Sequence, residues 1–171
     1  MEDLHIREAH VGDAEGIARV HVYTWQDAYV GLIPDSFLQS LSLEQRTATW
    51  VTNIENSLPK THILVAESDD QIVGFVSVGA NRDNGPADQG EIFAIYVDPK
   101  VQGRGVGAAL MRAGIQALRN ELFATAILWV LDGNVLTRSW YESHGWKADG
   151  KTKLDQRADF LLTEVRYGID L

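Results

Sequence analysis

A chain of 171 residues, 45% hydrophobic and 23% charged, has enough apolar material for one domain with a real core and too little for two. Its formal net charge of −9 makes it a poor partner for nucleic-acid phosphates, and the absence of cysteine removes disulfides, thiolate nucleophiles and Cys-based zinc sites. No apolar window reaches the roughly eighteen residues of a membrane span, and the opening MEDLHIREAH lacks the apolar core of a secretory signal, so a cytoplasmic protein with no membrane partner is expected.

In chain order, LHIREA reads as a first strand. DAEGIARVHVYTWQDAYVG carries apolar residues at helical spacing (Ile17, Val20, Trp25, Tyr29), with Asp13 as N-cap and Gly31 as stop. PDSFLQSL opens with proline, which suits a first helical turn. SLEQRTATWVTNI has Ser42 followed three residues later by Gln45, a capping-box pattern. The period then changes. HILVAES and QIVGFVSVGA are β-branched runs separated by two aspartates, a hairpin, and GEIFAIYV is a third such run. GVGAALMRAGIQALRN is a helix with Leu110, Met111, Ile115 and Leu118 on one face. TAILWVL is a strand, NVLTRSWYESHGW a short helix stopped at Gly145, and DFLLTEVRYGIDL a long final strand. The expected order is β-α-α-β-β-β-α-β-α-β-β, without repeats or linkers, as one domain over residues 1–171. Helices between the later strands require a parallel crossover, so the sheet is mixed α/β in class.

Glycines stand at 103, 105 and 107, where the helix must begin. Each costs about 1 kcal/mol against alanine in a helix interior. They make sense if a ligand approaches the first-turn amides, which have no partner inside the helix and sit at the positive end of its dipole. Strand, glycine loop and helix together form an anion site, most often for phosphate; close helix–sheet packing is the plainer reading. A Walker loop is absent, since no Lys-Ser or Lys-Thr follows Gly107, and the dinucleotide fingerprint fails because its third glycine comes one place early.

Gln102-Gly103-Arg104-Gly105-Val106-Gly107 resembles the Gln/Arg-x-x-Gly-x-Gly/Ala signature of the GNAT N-acetyltransferases. Downstream, Asn134, Trp140, Tyr141, Gly145 and Trp146 keep the spacing of the family's Asn-x-x-Ala-x-x-Phe-Tyr-x-x-x-Gly-Phe pattern, with Thr137 in place of alanine and two tryptophans in place of phenylalanine. The resemblance is clear from about residue 62 to 148. It implies a central, mostly antiparallel sheet of about seven strands flanked by helices and splayed between strands four and five, with acetyl-coenzyme A as cosubstrate and no metal.

By that resemblance, Ile95, Tyr96 and Val97 offer backbone groups to the pantetheine arm, and residues Gln102 through Gly107 offer amides to the diphosphate. Arg104 either adds a charge-assisted contact or is a solvated charge. Asn134 either meets the cofactor arm or caps its helix. Transfer of acetyl to an amine needs a deprotonated amine, donors for the oxyanion and a proton for the thiolate. Glu91, eleven residues before Gln102, is at the spacing of the base in histone-acetylating members. The fifth-strand glutamate of the ribosomal-protein acetylating members falls at Trp129, which closes that route. Tyr141 matches the family's general acid toward sulfur. Trp25, Asp27 and Tyr29 lie on the first helix, which borders the acceptor site in the family; the aromatics either pack the core or line the substrate. Asp27 or Asp35 in the cleft would favour a cationic amine, and HVYTWQDAYVGLIPDSFL resembles a bacterial subgroup some of whose members act on polyamines.

The expectation is an acetyl-CoA-dependent N-acetyltransferase acting on a primary amine by direct attack in a ternary complex, since a chain without cysteine forms no acetyl-cysteine. The acceptor expected is a small molecule or polyamine. A non-catalytic acyl-CoA-binding module, a protein amino-group acetyltransferase and transfer of a longer acyl group are the alternatives. Family members often dimerise, so a homodimer is a further expectation.

Overall fold

The computed structural model describes residues 4–83, 85–157 and 160–171. The strands are β1 (His5–Glu8), β2 (His62–Ser68), β3 (Gln71–Ala80), β4 (Gln89–Val97), β5 (Thr125–Leu131), β6 (Lys147–Arg157) and β7 (Phe160–Asp170). The helices are α1 (Ala14–Ala28), α2 (Asp35–Gln39), α3 (Leu43–Glu55), α4 (Val106–Asn120) and α5 (Val135–Ser143). Three helices, not two, precede β2, because PDSFLQSL forms the five-residue α2. Among the described residues no helix is long and apolar enough to cross a membrane.

Local chemistry accounts for several boundaries. Ser42 accepts a hydrogen bond from the Gln45 amide at 3.2 Å and starts α3. Asp69 and Asp70 both take positive φ, 52° and 58°, and close the β2–β3 hairpin. Gly145, at φ 89°, stops α5. Asp13 does not cap α1 as expected. Its buried carboxylate accepts from both terminal nitrogens of Arg7 (2.7 and 2.9 Å) and from the His10 amide (2.8 Å), fastening β1 to the turn before α1. The strand β6 is polar along its length and takes its place from pairing with β7.

All seven strands form one sheet in the order β1-β2-β3-β4-β5-β7-β6, antiparallel except for the β4–β5 pair. The helix α4 is the crossover that a parallel pair requires. That pair is short: Gln89, Gly90, Glu91 and Ile92 lie opposite Thr125, Ala126, Ile127 and Leu128, and no further. Beyond Ile92, β4 stays with β3 as far as Val97, while β5 stays with β7 as far as Leu131. The sheet therefore parts between β4 and β5.

Helices cover both faces. Leu110, Met111 and Leu118 of α4 bury against Val76, Val78, Ile92, Leu128 and Tyr167, each side chain contributing about 2 kcal/mol of transfer free energy. Ile17, Ala18 and Val20 of α1 and Trp50 of α3 pack on Val65 and Phe75 from the other face. Gly74 lets α4 sit close to the sheet, since a Cβ there would lie 2.9 Å from Leu110 Cδ1 and 3.0 Å from the Tyr96 carbonyl oxygen. Gly74→Ala is expected to cost about 1–3 kcal/mol through this overpacking, which lowers Tm by roughly 3–10 °C for a chain of this size. Thermal unfolding checks it; an unchanged Tm would show that α4 shifts freely.

Candidate active site

The chain leaves β4 at Val97 and turns sharply. Asp98 Oδ1 accepts from the Lys100 amide at 2.9 Å, and Pro99–Val101 form one 3₁₀ turn. Gly103 and Gly105 follow with φ of 74° and 85°, a conformation that glycine takes at no steric cost. A Cβ at either position would touch nothing, so backbone angle alone explains the residue type. Gly107 has another reason: its Cβ would come within 3.3 Å of Trp140, where α4 meets α5. Two of the three glycines thus shape the loop, and the third permits packing.

Among the described residues, none of the main-chain N–H groups from 102 to 108 donates to a protein acceptor; the ladder starts with Ala109 N–H to the Gly105 carbonyl at 3.0 Å. A row of unpaired donors at a helix N-terminus with positive dipole charge is built for an anion. Val106 is buried in the core and Arg104 is exposed, so their amides belong to the row while their side chains point elsewhere.

The amide row borders a cavity of about 1150 Å³ that fills the parting between β4 and β5. One wall is the free edge of β4. The Asp98 amide donates to the Val73 carbonyl at 2.9 Å, and Tyr96 and Ala94 lie opposite Phe75 and Ser77. Antiparallel alternation then turns the peptide groups of Tyr96 and Ala94 toward β3, and those of Ile95 and Val97 toward the cavity. The Val97 carbonyl already accepts from Gln102 Nε2 (3.0 Å) and Thr24 Oγ1 (3.2 Å), which pin the loop and α1 to the strand end.

Tyr141 reaches the cavity from α5, is 6% exposed and makes no protein hydrogen bond through its phenol. Burial, with the neighbouring Tyr96, pushes it well above the usual tyrosine range, so it stays protonated. Asn134 also lines the cavity, but its side-chain oxygen accepts from the Thr137 amide at 3.3 Å and caps α5.

Glu91 lies in the cavity wall, only 2% exposed, and is paired. Its carboxylate accepts from Arg82 three times: from Nη2 at 2.6 Å, the main-chain amide at 2.9 Å and Nε at 3.3 Å. Beside it, Trp129 donates to Asp83 at 2.5 Å.

The remaining wall comes from the first three helices. Trp25 and Tyr29 stack edge to face at 5.1 Å, and both line the cavity. Asp27 lies at its exposed rim. Asp35, at the start of α2, is not among the lining residues. Tyr96 is the centre of this cluster. Its ring stacks on His21 at 5.1 Å, and its phenol interacts with Tyr29 and Trp25. Burial raises both tyrosines. Trp50 donates to His21 Nδ1 at 3.2 Å, which places the imidazole hydrogen on Nε2. Burial, aided by Arg46, drops His21 to about 3, so the ring is neutral.

Several of these residues were not singled out in the sequence: the side chains of Thr24, Gln102 and Tyr96, and His21, Arg46 and Arg82. Arg46 carries a signal, since it precedes the core residue Trp50 by four positions and so shares its helix face. Arg82 sits in a loop with no periodicity to place it.

A sheet parted beside an anion-ready helix start is suited to an elongated ligand that carries a phosphate. Residues 21–146 match the acetyltransferase (GNAT) family, and the chain belongs to it. An uncharacterised N-acetyltransferase of Bacillus subtilis, YuaI, is 32% identical over 130 residues, covering 75% of this chain and 72% of that one. The fold is shared with the PaiA N-acetyltransferase of Thermoplasma acidophilum, solved in complex with coenzyme A (TM-score 0.72, 20% identity, 95% of this chain and 98% of that one). It is shared also with a Salmonella typhimurium acetyltransferase, yncA, solved with acetyl-CoA (TM-score 0.72, 20% identity, 98% and 94%).

Glu91→Gln keeps shape and removes the charge that holds Arg82. The expected result is a stability loss of about 1–3 kcal/mol, as for other hydrogen bonds to charged groups, with the acidic limb of the pH–rate profile retained. Loss of that limb at unchanged Tm would restore Glu91 as the base.

Proposed function

We propose that this GNAT acetyltransferase moves acetyl from acetyl-CoA to a primary amine of a small molecule, by direct attack within a ternary complex. The observation that carries the reading is the row of unpaired amides at 102–108 opening into the cavity. Those amides suit the diphosphate, and the β4 edge, open at the Ile95 peptide groups and the Val97 N–H, suits the amides of the pantetheine arm, which it would pair as a strand pairs a neighbour. When bound, the thioester supplies an acyl carbon open to an amine lone pair.

The chain's own residues then have distinct tasks. Tyr141, protonated and without a protein partner, donates its proton to sulfur as the carbon–sulfur bond breaks and regains one from solvent, to which the attacking nitrogen sheds one as it becomes the amide. The amine must arrive neutral; at an alkylamine pKa of about 10.4 this costs about 4–5 kcal/mol at pH 7. In this reading its proton leaves through solvent in the open cleft, and the Glu91–Arg82 pair fixes the end of β4 where the strands part. Trp25, Tyr29 and Tyr96 form the apolar side of the acceptor subsite, with Asp27 at its rim.

Two measurements test this. Calorimetry with CoA and acetyl-CoA, joined to thiol release over a panel of amines, separates a transferase from a binding module; affinity without release from any amine would favour the module. Tyr141→Phe is expected to lower kcat by roughly 100-fold or more, the scale of a lost general acid, with CoA affinity changed less than about twofold. Equal turnover would remove Tyr141 from the chemistry.

A further inference from the structure

Four cationic side chains line the cavity, and three are neutralised. Arg82 is held by Glu91 at 2.6 Å, Arg157 by Asp155 at 2.7 Å and Lys153 by Glu164 at 3.4 Å. The fourth, Arg46, projects from α3 and is half-buried. Among the described residues its guanidinium has neither an ion pair nor a hydrogen bond. Its electrostatic neighbours are Tyr96 and the like-charged Arg157. A guanidinium withdrawn from water costs free energy until an anion meets it, and its planar fork suits the two oxygens of a carboxylate. The same wall holds a buried N–H group with no acceptor, His21 Nε2. Asp27, the acid that would draw a polyamine, is exposed at the rim, where water solvates its charge. Asp83, the other lining carboxylate without an ion pair among the described residues, is exposed as well and accepts from Trp129, so the unpaired charge withdrawn from water in the subsite is positive, against the chain's net −9.

We infer that the acceptor is an amine that also bears a carboxylate, such as an α-amino acid, and that Arg46 holds the carboxylate while the amine faces the parting between β4 and β5. This names the acceptor class for the transferase proposed above and rests on that reading. Arg46 is a specificity-determining residue in this account; it touches the substrate away from the reacting atoms.

The test uses matched pairs, each α-amino acid against the amine left by its decarboxylation, with thiol release from acetyl-CoA as readout. N-acetyl amino acids and the matching carboxylate-free acetamides are also bound to the CoA-loaded protein, followed by tryptophan fluorescence. Wild type is expected to favour the carboxylate-bearing member by about tenfold or more in kcat/KM and in affinity, the worth of one well-placed charge pair. Arg46→Met should bring both ratios close to one, chiefly through KM. Arg46→Lys, which keeps the charge and loses the fork, should fall between. Equal or better use of the carboxylate-free amines, or a wild-type ratio in Arg46→Met, overturns the inference. So does a large loss of CoA affinity in Arg46→Met, since Arg46 would then serve the cofactor. If no amine releases thiol while the acetylated amino acids still bind through Arg46, the transferase reading falls and the carboxylate anchor stands.

Discussion

Everything functional in this chain depends on four residue pairs of parallel ladder. The strands β4 and β5 are joined from Gln89 to Ile92 and then follow different partners. Each strand has two edges, and every main-chain group removed from water needs a partner. With β3 taking one edge of β4 and β7 one edge of β5, the facing edges beyond Ile92 are left without strand partners, and the space between them can be filled only by something else. The crossover helix α4 begins at the mouth of this gap, so the unpaired amides of its first turn and the unpaired edge of β4 open onto one cavity. Unpaired donors suited to an anion and an open strand edge are thus consequences of the same topology.

The walls hold the gap open by different means. On the side of α1 and α3, aromatic rings gather around Tyr96, with His21, Trp25 and Tyr29 in contact, and no charged side chain is needed there to keep shape. At the closed end, the buried Glu91 is compensated by Arg82, which lies over the Phe93 ring at 4.2 Å. A buried carboxylate with three donors is a fixture of the fold, and removing the donors would leave an uncompensated charge. Among the described residues, the Tyr141 phenol and the Arg46 guanidinium are cavity groups not consumed in this way, and the proposed reading gives the first to the thiolate and the second to the acceptor.

The legible parts of the sequence were those with local causes. Positive φ at Gly103 and Gly105, the Ser42 cap, the two-aspartate hairpin and the apolar face of α4 all follow from residue type and spacing, and the structure has each of them. The mixed sheet followed from helices set between strands, and its splay from the family resemblance. The parts that were not legible depend on long-range pairing. Asp13 looks like a helix cap until Arg7 claims it, and nothing in the sequence around Glu91 announces that Arg82 folds back nine residues to pair with it. Arg46 owes its standing to what three other cations found as partners, which no local pattern records. Gly107 belonged to the right motif for a different reason, the approach of Trp140.

The central claim is that main-chain donors at residues 102–108 hold the diphosphate. It is tested most directly by amide NMR of the labelled protein during titration with CoA, and with 3′-dephospho-CoA to separate the ribose phosphate from the diphosphate. The account predicts that the amides of 102–108 move downfield and become protected from exchange with both ligands, while those of 109–120, already bonded within α4, shift little. Binding of either ligand with the 102–108 amides unshifted and unprotected would contradict it.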